Sequence, residues 1–185
     1  MIIKKNDIIF AIICGLSVAW IASDFFRKYA LLFFIVLPIL SLIGLWLCGI
    51  IAKKIFFVWQ AGKFVLAGAF ADVIDIRIFQ ILFLFIPFPL VSKMVSFILA
   101  TFVKYYSDKH WTFEKHEKDI KNKEMGKFFL VAIVGSLLNV VSFYYFTKIK
   151  TGISHNLWIE LSIILAAISS GVWNFLGYKF LVFKK

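Results

Sequence analysis

Asp72, Asp75 and Arg77 stand inside the apolar stretch Lys63–Phe85, and Asn139 and Asn174 stand inside two others. Carboxylates and carboxamides in such a setting can replace water around the hydroxyls of a hydrophilic ligand, because an unpaired hydroxyl in hydrocarbon costs several kcal/mol. Asp72 and Asp75, three apart, share one face of a helix; Arg77 is five from the first and two from the second and cannot serve both. An unpaired acid at the centre of a membrane helix costs roughly 2.5–3.5 kcal/mol on insertion scales. These residues therefore either line a polar cavity for a head group or clasp helices together. In the second case one acid meets Arg77, or a donor on another span such as Asn139 or Asn174.

A second set is cationic. Lys63, Lys104, Lys127 and Lys179 lie at the ends of apolar stretches, where lysines hold a lipid phosphate as point charges or simply snorkel beside an aromatic belt. Other arrangements carry less. Asp72-Val73-Ile74-Asp75 resembles a magnesium-binding acid pair of prenyl-transferring enzymes but lacks a second motif. His110, Glu114, His116 and Glu117 read as a solvated loop, Tyr105–Gly126, rather than a metal site. Cys14 and Cys48 sit in apolar runs and read as packing. With no P-loop and no Ser-His-Asp set, neither catalysis nor a cofactor is expected.

The elements that position these residues follow from composition. The chain is 62% hydrophobic with a mean hydropathy of +0.93, against about 45–50% apolar residues in a soluble domain. The expected class is an all-α integral membrane protein of about six transmembrane helices, near 7–23, 29–52, 62–85, 88–107, 127–147 and 157–179. Pro38 should kink the second, and Pro87-Phe88-Pro89 should turn the chain between the third and fourth. Lys4-Lys5 before Ile8–Ala22 resembles a signal peptide, but no small-residue cleavage site follows, so a retained first span is expected. Small residues four apart, Ala11-Gly15-Ala19, Gly44-Cys48-Ala52 and Ala167-Gly171, read as helix packing.

The net charge of +11 would suggest nucleic acid in a soluble protein; here the charges flank apolar runs and set topology instead, and no nucleic acid is expected. With the N-terminus inside, fifteen of the 21 basic residues fall on inner segments, Lys118, Lys184 and Lys185 among them. Five fall outside (Arg27, Lys28, Lys93, Lys148, Lys150), and Arg77 is within a span. Both termini are thus expected on the cytoplasmic side of the inner cell membrane.

The last four spans form an internal repeat. At an offset of 64, Lys63-Phe64 falls on Lys127-Phe128, Ala71 on Gly135 and Asp75 on Asn139. At an offset of 70, Lys104 falls on Asn174, Lys109 on Lys179 and Phe113 on Phe183. Two parallel helical-hairpin repeats, about 62–113 and 127–183, follow, since each unit of two spans re-enters from the same side. The domains expected are an N-terminal segment of two spans, 1–57, and a four-helix domain, 58–185.

Over about 62–183 the chain resembles the GtrA-like family of small membrane proteins, and the membrane domain of some polyprenol-phosphate mannose synthases. The resemblance lies in Lys63-Phe64 with Ala67-Gly68, Lys127-Phe128 with Gly135 and Asn139, Trp173-Asn174-Phe175 before Lys179, and the endings Trp111-Thr112-Phe113 and Leu181-Val182-Phe183. It implies two hairpins with both termini inside and a role in cell-surface polysaccharide synthesis. That role is moving a polyprenyl-phosphate-linked sugar across the membrane or supporting the enzyme that makes it; on the reading of the residues above, Asp72, Asp75, Arg77, Asn139, Asn174 and the four lysines are the expected substrate contacts. The other reading is a non-transporting scaffold whose loop recruits a glycosyltransferase to its lipid substrate. Membrane lipid is a partner in either case; no oligomeric state is fixed. The first two spans lie outside the resemblance, and Asp75 stands where the second repeat has Asn139.

Overall fold

A computed structural model describes residues 3–115, 122–149 and 154–183, and the regular structure among them is entirely helical. Six α-helices follow in order: α1 Lys5–Phe25, α2 Ala30–Ile51, α3 Phe56–Phe85, α4 Pro89–Ser107, α5 Asn122–Lys148 and α6 His155–Gly177. The chain is an all-α integral membrane protein. His116, Glu117, Lys118, Lys121, Lys150, Lys184 and Lys185 lie outside the described residues.

Large apolar side chains face outward along all six helices, with Leu84 and Phe85 each 80% exposed. Water would penalise such a surface and lipid does not. Among the described residues, four segments are long and apolar enough to cross a bilayer on length and composition alone: Lys5–Phe25, Arg27–Ile51, Lys123–Lys148 and Leu157–Val182. The third and fourth expected spans, α3 and α4, are not among them. They carry Lys63, Asp72, Asp75, Arg77, Lys93 and Lys104. All of these except Asp72 form an ion pair inside the protein, which lowers the cost of holding charge at membrane depth.

The contacts group the chain into two compact units, residues 1–116 and 117–185. In the first, α1 packs on α2, both meet α3, and α3 pairs with α4. The Ala11-Gly15-Ala19 stripe makes the first contact. Ala11 and Ala19 are fully buried, and a Cβ at Gly15 would collide with the backbone of Pro38. α2 continues through Pro38, and Ser41 Oγ donates to the Pro38 carbonyl (2.8 Å) and to the Ala11 carbonyl across the contact (2.7 Å). The stripe Ala167-Gly171, expected to pack, does not: Ala167 is exposed, Gly171 faces open space, and Ala166 is the residue buried. Helical phase decides this, since adjacent positions point about 100° apart.

Both hairpins are closed by short links. Pro89 takes the first helical position of α4, where its missing N–H costs nothing, and Ser92 Oγ donates to the Ile86 carbonyl at 2.8 Å. In the second unit, Trp158 Nε1 donates to the Phe146 carbonyl at 2.9 Å and Trp173 Nε1 to the Val131 carbonyl at 3.3 Å.

The repeat has a structural signature. α4 runs into a π-helical turn, Asp108–Thr112, and α6 into another, Tyr178–Val182. The closing bonds, Phe113 N–H to Asp108 (2.8 Å) and Phe183 N–H to Tyr178 (2.7 Å), fall at the offset of 70 read from the sequence. π-turns are rare, so two in one register mark a shared architecture rather than coincidence. Each turn returns the chain end to its own hairpin and buries it: Thr112 and Phe113 in one, Val182 and Phe183 in the other. The expected solvated loop from Tyr105 is therefore shorter. Tyr105, Asp108, Lys109 and Trp111 are buried too, because the extra residue in a π-turn swings these side chains inward.

Candidate functional site

Of the residues singled out from sequence, Asp72, Asp75 and Lys104 come together along one seam between α3 and α4. The seam is built from small residues. Ser92, Ser96 and Ala100 on α4, four apart, are buried, as are Ala67 and Ala71 on α3, a pattern of small residues that permits a close helix crossing. Polar groups follow the same line. Asp75 accepts a hydrogen bond from Ser96 Oγ at 2.6 Å and pairs with Lys93. Lys104 pairs with Asp108 at 3.2 Å and lies 4.0 Å above the Phe64 ring, and a Cβ at Gly68 would stand 3.5 Å from its ammonium. Asp108 is wholly buried and accepts a bond from Thr112 Oγ1 at 3.0 Å.

Asp72 lies between these pairs, near the middle of α3. It is exposed, sits in the field of Lys104 and Lys93, and accepts no hydrogen bond from a described residue.

Arg77 does not join the seam. It pairs with Asp24 at 2.6 Å, donates to Gln80 Oε1 (2.9 Å) and the Trp20 carbonyl (3.2 Å), and stacks 4.1 Å above the Trp20 ring. The alternative in which an acid of α3 meets Arg77 is thus replaced by a clasp from α3 to α1. Asp75 likewise finds its partners on α4.

Lys63 is not a surface cation. It is 1% exposed, pairs with Asp7 (2.8 Å) and Glu114 (2.9 Å), donates to the Trp111 carbonyl (3.3 Å) and lies over the rings of Trp59 and Trp111. Asp7 also accepts bonds from Trp111 Nε1 and from the Lys4 backbone N–H, both at 2.9 Å, while Lys4 Nζ pairs with Glu114 at 2.9 Å. Phe10 stacks on Trp111 at 4.1 Å. This cluster fastens the start of α1 to the start of α3 and to the first π-turn. Glu114 reaches it from a left-handed backbone, φ 51°, a conformation that non-glycine residues adopt only where surrounding contacts hold them.

Burial pushes the Glu114 carboxyl up, but Lys4 and Lys63 outweigh it and hold it below the usual glutamate range. A depressed carboxyl stabilises the fold above its unfolded-state value, and that stability is lost as pH falls through the folded-state value. The melting temperature in detergent should therefore decline as pH drops below the ordinary glutamate range. Glu114→Gln should decline less over that window, and identical profiles would remove this role.

In the second unit the equivalent places hold different chemistry. Phe128, the counterpart of Phe64, stacks on Tyr178, the counterpart of Asp108, with ring centroids 3.9 Å apart. Asn174, the counterpart of Lys104, packs onto Gly135; its buried carboxamide oxygen accepts no hydrogen bond from a described residue, and a Cβ at Gly135 would collide with it. Gly135→Ala should therefore cost about 1–3 kcal/mol, as overpacking does. Asn174→Ala should restore most of that loss, and an unchanged penalty in the double variant would deny the contact. Asn139, one turn beyond Gly135, is half-buried. Lys127 is exposed on α5 without an ion pair to a described residue, and Lys179 lies against the rings of Phe175 and Phe180.

Sequence reasoning missed Lys93, Ser96, Asp108, Asp7 and Asp24 as partners. For α4 a signal existed: Lys93, Ser96, Ala100 and Lys104 recur at helical spacing on one face. An apolar groove of about 360 Å³ between α2 and α3, lined by Leu40, Gly44, Cys48, Gly62 and Leu66, offers no charged group; it suits a lipid chain, not a head group.

The family model described as GtrA/DPMS, transmembrane domain, matches residues 63–183, well over half of the chain. Neither a curated protein nor a solved structure matches it.

Proposed function

Because this chain belongs to the GtrA/DPMS transmembrane-domain family, we propose that it passes the head group of a polyprenyl-phosphate-linked sugar across the cytoplasmic membrane without catalysing a reaction on it. Membership fits a multi-pass membrane protein of glycan synthesis. The finer reading rests on one observation: Asp72, a mid-helix carboxylate, is exposed and accepts no hydrogen bond from a described residue, while the other charges of α3 and α4 are paired. A carboxylate left open at membrane depth is expensive unless a ligand uses it. Sugar hydroxyls would donate to it while the prenyl tail stays in lipid. Lys104 would draw the phosphate at the cytoplasmic end of the first unit.

The test is reconstitution of the full chain in liposomes with a labelled polyprenyl-phosphate sugar, scored by appearance of the head group in the opposite leaflet. Protein-dependent crossing supports the reading, and a rate equal to that of empty liposomes overturns it. The scaffold reading draws less from the structure, because Tyr105, Asp108, Lys109 and Trp111 to Phe113, part of the loop it relied on, are buried in the first unit.

A further inference from the structure

Lys93 and Lys104 lie on one face of α4, eleven residues or roughly 16 Å apart along the axis, with Asp75 and Asp72 between them on the facing helix. The two lysines are held differently. Lys104 is 17% exposed, its ammonium lies over the Phe64 ring, and its partner Asp108 is fully buried, so the ammonium is held in place. Lys93 has half its side chain exposed, and its partner Asp75 is independently held by the buried Ser96 hydroxyl at 2.6 Å. Asp75 would therefore keep a hydrogen bond if Lys93 turned away. Lysine is a compact charge on a flexible four-carbon stem and makes that turn at little cost. An ion pair between an anchored acid and a half-exposed cation can be exchanged for a pair with an incoming anion.

We propose that Lys93 is a second anion station of the same seam, taking the phosphate of an isoprenyl phosphate lipid at the end of α4 opposite Lys104. Asp75 is left bonded to Ser96 and receives Lys93 again when the phosphate departs. The proposal rests on the head-group reading above, and it adds a residue and a place to it. The same chemistry is offered by ordinary anionic phospholipids, so the ligand must be distinguished from those.

The experiment titrates a short-chain isoprenyl phosphate into the full chain in nanodiscs of neutral phosphatidylcholine, with and without phosphatidylglycerol as competitor. Wild type should show two binding events. Lys93→Gln should weaken one of them at least tenfold, Lys104→Gln the other, and Lys93→Arg should keep both; Lys93→Gln retains an amide that can donate to Asp75 and should melt no lower than Asp75→Asn does. One event in wild type, or two undiminished events in Lys93→Gln, overturns the station. Displacement of both events by equimolar phosphatidylglycerol overturns its assignment to isoprenyl phosphate. Failure of the broader reading looks different. If the Lys93-dependent event is present but the lipid does not cross liposomes, translocation falls and the station stands. If the lipid crosses equally fast with Lys93→Gln, the station falls and translocation stands.

Discussion

Lys63→Ala should lower the melting temperature in detergent by on the order of 10 °C, more than any other single lysine substitution in the chain. The Lys63 ammonium is met by two carboxylates, and Asp7 beside it is 2% exposed. Removing the cation leaves Asp7 with only the Trp111 indole and the Lys4 N–H, and opens a void under Trp59 and Trp111. Breaking a buried pair from one side costs about 3–5 kcal/mol. In a chain of this length each kcal/mol moves the midpoint by roughly 2–4 °C. Removing both charges together should recover part of the loss, because a buried pair often gains little over well-packed neutral side chains. Lys63→Met with Asp7→Asn is thus expected to melt above Lys63→Ala. A single variant within 2 °C of wild type would show that the cluster does not hold α1 to α3. Lys63 matches the phosphate-seeking lysines in sequence position, but two internal carboxylates already answer its charge. Lost lipid binding in Lys63→Ala is therefore to be read against its melting curve, whereas exposed Lys127 can be tested for phosphate directly.

Why the first of these roles was hidden and the repeat was not is a matter of range. Helix limits, turns and the doubled register are local or periodic. Apolar runs give the six helices, prolines give the α3–α4 link, and the offset of 70 gives the register in which the two π-turns fall, though not the turns themselves. The ion pairs are neither local nor periodic. Lys63 meets acids 56 residues before it and 51 after it, at Asp7 and Glu114, and Arg77 meets Asp24 on α1. Intramembrane charge says that a partner must exist, because the cost of having none is high; it does not say which. Asp75 fits that limit: a donor on a neighbouring span was required, and α4 supplies Lys93 and Ser96. Asp72 and Asp75, read as one pair on one face, divide for the same reason. Three residues of helix turn one toward α4 and leave the other open.

That division yields the second large effect. Asp72→Asn should keep or slightly raise the melting temperature, because no hydrogen bond from a described residue is lost and the insertion cost of a charge falls away. Movement of the sugar lipid in liposomes should nevertheless fall at least tenfold, about 1.4 kcal/mol of barrier, the scale of one charge-assisted bond to a substrate hydroxyl. Asp75→Asn should behave in the opposite order. It removes the acceptor for Lys93 and weakens the bond from the buried Ser96, so melting should drop first, by about 1–3 kcal/mol. Lys93 is half exposed and partly rehydrates, which keeps this cost below that of Lys63→Ala. The two curves, melting and transport, are measured on the same preparations. A stable, slow Asp72→Asn beside a less stable Asp75→Asn places substrate contact on the open acid and helix clasping on the paired one. A stable and fully active Asp72→Asn would take the carboxylate out of the path altogether, and the head group would then have to cross without the one acid of α3 that has no ion pair to a described residue.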